Sequence, residues 1–77
     1  MSKRITPISY KKLIKLFEKF GFKFSRYHGD HVVMNKAGAV RPIVFQALKD
    51  VPVFQIENNL KVAKLTKAQY LEMLESL

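Results

Sequence analysis

Phe22-Lys23-Phe24-Ser25-Arg26-Tyr27-His28-Gly29-Asp30-His31-Val32-Val33-Met34-Asn35 is the stretch on which the fold turns. Apolar and polar side chains alternate on both sides of Gly29-Asp30, so residues 22–27 and 31–35 read as two strands joined by a tight turn, a β-hairpin. Successive strand residues point to opposite faces. Phe22 and Phe24 are therefore expected to face a first helix, with Lys23 and Ser25 toward solvent. On the second strand Val32 and Met34 share the buried face, while His31, Val33 and Asn35 share the other. Both histidines of the chain lie in this stretch. A neutral imidazole at His31 is a general acid or base near neutral pH, and Arg26 offers a guanidinium able to hold a phosphate beside it. A hairpin histidine that bonds only its own turn is the alternative. His28, at the turn, is expected to be exposed or bonded to Asp30. His28, Asp30 and His31 are legitimate metal ligands, but three of them crowded into one tight turn lack a fourth, and no metal site is expected. Tyr27 is read either as a ring for a base to stack on or as packing beside other aromatics.

Working outward, Ser9 is placed to cap a helix in which Tyr10, Leu13, Ile14, Phe17 and Phe20 recur at three- and four-residue spacing. Gly21 ends it. Lys11, Lys12, Lys15 and Lys19 fall mainly on the opposite side, to bind phosphate or to stay in water. Beyond the hairpin, Asn35-Lys36-Ala37-Gly38 forms a turn into a third strand over residues 39–45. Pro42 has no N–H to give to a ladder, which puts this strand at a sheet edge or breaks it at a bulge.

Residues 46–50 connect to a second helix that has Pro52 at its first turn. Val53, Ile56, Leu60 and Ala63 make its apolar stripe, and Gln55, Asn58 and Lys61 belong to its polar outer face. Thr66-Lys67-Ala68-Gln69 has the form of a capping box, and Tyr70, Leu71, Leu74 and Leu77 follow it at helical spacing. The order helix, three-stranded antiparallel meander, helix, short helix predicts an α+β fold with helices on one sheet face. His31 then belongs to the uncovered face.

A chain of 77 residues has room for one domain, and with 48% hydrophobic residues and no cysteine it reads as globular, without disulfides or thiolate-bound metal. Met1-Ser2-Lys3-Arg4 is basic, but no apolar run of signal-peptide or membrane-spanning length follows, so a cytoplasmic protein is expected. Fourteen Lys and Arg against six Asp and Glu give a net charge of +8. A field of that strength on so small a body attracts polyanions, nucleic acid first among them. An acidic protein partner, or plain solvation of helix faces, answers to the same charge.

From Ser9 to the C-terminus the residues resemble the HicA toxins, small mRNA-cleaving partners in type II toxin–antitoxin systems. Gly21-Phe22 matches the Gly-aromatic end of that family's first helix, and Arg26, Gly29 and His31 match its Arg and Gly-Ser-His motif. Asp30 stands where Ser is usual, a substitution that suits a tight turn. Lys49-Asp50-Val51-Pro52 resembles the entry to the family's second helix, and Leu60-Lys61-Val62-Ala63-Lys64-Leu65-Thr66 its exit. Ile43-Val44-Phe45-Gln46 departs from the Val-Pro-x-His-like stretch often found there, so no second histidine is expected from the third strand. Phe54 and Lys64 replace common glycines.

The resemblance implies one HicA-like domain over residues 1–77 with a double-stranded-RNA-binding-domain-like fold. It also implies a metal-independent endoribonuclease that cleaves mRNA and needs no cofactor. His31 is then the catalytic general base, and Arg26, Lys23, Lys36 and Gly29 are the candidate RNA-binding positions. The expected partner is an antitoxin of the HicB type, with no membrane contact and a monomer as the free state. A non-catalytic RNA- or DNA-binding module of the same fold, or an inactive family member, would keep the same stripes and lysines.

Overall fold

The computed structural model describes residues 4–77. Its elements run α1 (Tyr10–Lys19), β1 (Lys23–His28), β2 (His31–Asn35), β3 (Ile43–Gln46), α2 (Val53–Ala63) and α3 (Lys67–Glu75). The strands form one antiparallel sheet in the order β1-β2-β3, which is the expected α+β architecture.

Local chemistry sets the helix ends. The Ser9 side chain accepts from the Lys11 N–H and starts α1. At the other end Gly21, with φ +97°, lets its own N–H reach the Glu18 carbonyl and the Phe22 N–H reach the Phe17 carbonyl. These two bonds satisfy carbonyls that the helix leaves open, and they turn the chain into the sheet. Thr66 and Gln69 exchange hydrogen bonds as a capping box at α3. The same left-handed reversal that Gly21 provides after α1 recurs after α2, but there the residue is Lys64, at φ 58°.

Val32 and Met34 of β2 and Ile43 and Phe45 of β3 are fully or almost fully buried against Leu13, Leu16 and Phe17 of α1, Ile56 and Leu60 of α2 and Tyr70 of α3. Phe17 centres the aromatic packing, with the rings of Phe22 and Phe45 at 5.9 and 6.1 Å. Burying each such aliphatic or aromatic side chain contributes about 2 kcal/mol, so this layer holds the helices to one face.

Three expectations change, two of them in the sheet. β3 begins only after Pro42, not at residue 39, because Pro42 cannot donate to β2 and the residues before it stay in the loop. Phe24 is not a second core ring: it is 40% exposed at the free edge of the sheet, whereas Phe22 just ahead of β1 is buried.

Gln55 does not simply face water. The outer edge of β3 is filled by side chains of α2: the Val44 N–H donates to Asn59 Oδ1 at 3.0 Å, and Asn59 Nδ2 donates to the Val44 carbonyl at 2.8 Å. Two residues on, the Gln46 N–H donates to Gln55 Oε1 at 3.0 Å, and Gln55 Nε2 donates to Gln46 Oε1. Two amides at i and i+4 of one helix thus supply the partners that a fourth strand would give.

Candidate active site

His28 and His31 are the last residue of β1 and the first of β2, and they are direct cross-strand partners. Gly29 between them has φ +62°, while Asp30 does not adopt a positive φ. Positive φ at the first central residue alone is the type II′ pattern, whose twist matches that of the flanking strands. A Cβ on Gly29 would meet open space. Backbone conformation, not room, is what calls for glycine there. The turn is also tied to β3, because the Ala47 N–H donates to the Asp30 carbonyl at 2.7 Å.

One irregularity decides which cation shares a face with His31. Phe24 pairs with Met34 and Arg26 with Val33, so Ser25 is an extra residue, a β-bulge. Strict alternation from Phe24 would send Arg26 to the helix-covered side. The bulge instead puts Arg26, opposite Val33, on the open face together with His28 and His31, and it leaves Phe24 and Tyr27 together on the helix side. Their rings lie 5.0 Å apart in an edge-on contact. Partial desolvation, and then the neighbouring Tyr10 hydroxyl, push the Tyr27 phenol above its ordinary range. Tyr27 therefore packs at the sheet edge, away from the histidine face.

Arg26 lies two residues along the ladder from His31, about 7 Å of strand. Lys23 is opposite Asn35, at the far end of the hairpin. Lys36 follows Asn35, its stem beside Gly21 and its ammonium 5.6 Å from the centre of the Phe22 ring. It lines a cleft with Lys64 at that far end. The hairpin thus brings Arg26 and the two histidines together and keeps Lys23 and Lys36 apart from them. Gln46 of β3, opposite His31, and the half-exposed Val44 complete the face.

Asp30 is the residue whose role the sequence conceals. Its Oδ1 lies 3.0 Å from His31 Nδ1, so it bonds His31, not His28. With Nδ1–H donating to this carboxylate, Nε2 keeps its lone pair and is the basic nitrogen. The carboxylate also offsets positive charge that arises when Nε2 takes a proton. The pair is well exposed, open to a large substrate. Among the described residues no group of three or more His, Asp and Glu side chains is arranged to hold a metal ion.

A family model described as HicA toxin of bacterial toxin–antitoxin matches residues 10–65, well over half of the chain, including every strand and the whole of α2. No curated protein and no solved structure matches.

Proposed function

Because the chain belongs to the HicA toxin family, we propose that this toxin is an endoribonuclease that cleaves mRNA without a metal, using His31 as general base. RNA brings its own nucleophile. Nε2 of His31 takes the proton of a 2′-hydroxyl, the 2′-oxygen attacks the adjacent phosphorus, and the bond to the 5′-oxygen breaks. Arg26 on the same face holds the phosphate and offsets the charge that grows on its oxygens. The observation that carries this reading is the hairpin register, whose bulge brings Arg26 onto one uncovered sheet face with His31, the ring nitrogen away from Asp30 being left basic. An antitoxin of the HicB type would silence the toxin by covering that face. Partner and substrate then compete for the same cations.

The test uses purified protein and an RNA oligonucleotide in EDTA. Cleavage is expected there, with a DNA of the same sequence left intact and a single 2′-deoxy substitution on the 5′ side of the cut blocking that cut. His31→Ala should lower the rate by about 10²–10⁴-fold with an unchanged circular dichroism spectrum, and should abolish growth arrest on induction. Cleavage of the deoxy substrate, or activity only with added divalent metal, overturns the mechanism.

A further inference from the structure

A base alone leaves one atom without provision: the departing 5′-oxygen is a poor leaving group until it receives a proton. We propose that His28 supplies it, as the general acid paired with His31; this assignment rests on the reading above.

The hairpin register is the reason. His28 and His31 face each other directly across the ladder, and directly opposed residues have their Cβ atoms about 5 Å apart on one face. In an in-line displacement the attacking 2′-oxygen and the leaving 5′-oxygen stand on opposite sides of one phosphorus. Two imidazoles rooted side by side and opening to solvent can flank one phosphate. The type II′ turn at Gly29 fixes that spacing.

The division of labour follows from the carboxylate. Asp30 bonds His31 and not His28, so the positive charge formed when the base takes a proton is offset at His31. His28 is exposed, so its ring exchanges protons with solvent. The charged or polar groups near it on the open side are Arg26 on its own strand, His31 on β2 and Gln46 on β3. In the complete step the 2′-oxygen–phosphorus bond forms as His31 Nε2 gains the 2′ proton. The phosphorus–5′-oxygen bond breaks as His28 gives its proton to the 5′-oxygen. The products are a 2′,3′-cyclic phosphate and a 5′-hydroxyl, and solvent restores both rings.

The experiment compares an RNA oligonucleotide with the same oligonucleotide carrying a bridging 5′-sulfur at the cut, a leaving group that needs no proton. With His28→Gln, cleavage of ordinary RNA should fall about 10²-fold or more, while the sulfur substrate is cut within a few-fold of the wild-type rate. The alkaline limb of the wild-type kcat/KM profile should vanish in the same variant. His31→Ala should lose both substrates. His28→Asn is run in parallel, with circular dichroism on both variants, so that a folding defect in one leaves the other to decide. Equal loss on the two substrates in a folded His28 variant overturns the acid assignment alone, since His28 would then bind or position. An unchanged rate on ordinary RNA overturns it too. Wild-type protein that cuts neither substrate overturns the ribonuclease reading and the acid with it.

Discussion

Tyr70 is fully buried under α3, and its hydroxyl has no hydrogen-bond partner among the described residues. Desolvation pushes its ionisation up from the ordinary 10 to about 12. An orphaned buried hydroxyl costs about 1–3 kcal/mol, so removing it is not a loss. Tyr70→Phe should therefore be neutral or stabilising by up to about 2 kcal/mol in urea unfolding at neutral pH. The pH dependence has a definite sign. Between pH 10 and 12 the unfolded phenol has released its proton while the folded one retains it, so the folded state binds more protons and stability falls as pH rises. The phenylalanine variant lacks that loss. Its advantage over wild type should widen through this window, lysine titration being common to both proteins.

At the scale of elements, α2 has two features that can be checked separately. Asn59→Ala strips both backbone partners from Val44 on the β3 edge, at an expected cost of about 2–3 kcal/mol by chemical denaturation. Asn58→Ala, one position away and exposed, should stay within about 0.5 kcal/mol of wild type. Lys64 sits at φ 58°, where a Cβ is strained. Lys64→Gly should raise stability by about 1 kcal/mol, with the fold unchanged. These features mark what the sequence discloses. Caps at Ser9 and Thr66 and the Gly29-Asp30 turn are local patterns that the structure keeps, and of the α1 stripe Leu13 and Phe17 are fully buried while Tyr10, Ile14 and Phe20 are partly so and Leu16 joins the core. The bulge at Ser25 is not legible, because an extra residue in a strand leaves the composition unchanged and only the partner strand reveals it. For the same reason alternation alone puts Arg26 on the wrong side of the sheet. Nor does an Asn at a polar helix position announce that it will meet a strand edge fifteen residues earlier. Asp30 reads as a turn residue until its distance to His31 is known.

For the whole molecule, charge and compactness oppose each other. A net charge of +8 repels itself most at low salt, and Lys11, Lys12, Lys15 and Lys19 crowd the exposed side of α1. Raising ionic strength from about 0.01 to 0.15 M shortens the screening length from roughly 30 to 8 Å. The melting temperature should rise over that range. RNA affinity, measured with the His31→Ala variant, should fall steeply as released counterions lose their drive. Opposite signs in the two titrations are the expected outcome, and an affinity indifferent to salt would assign the charge to another partner. Among the described residues no helix is long and apolar enough to cross a membrane.

Asn59 and Gln55 on one border of the sheet, and Ser25 on the other, act together in one more respect. Strands polymerise by zippering onto a free margin, and a toxin released from its antitoxin would meet copies of itself. One margin is already capped by helical amides, and the other breaks register after Phe24, so a docking strand finds no continuous row of donors and acceptors to template on. The sheet that presents the histidines is built to end at three strands.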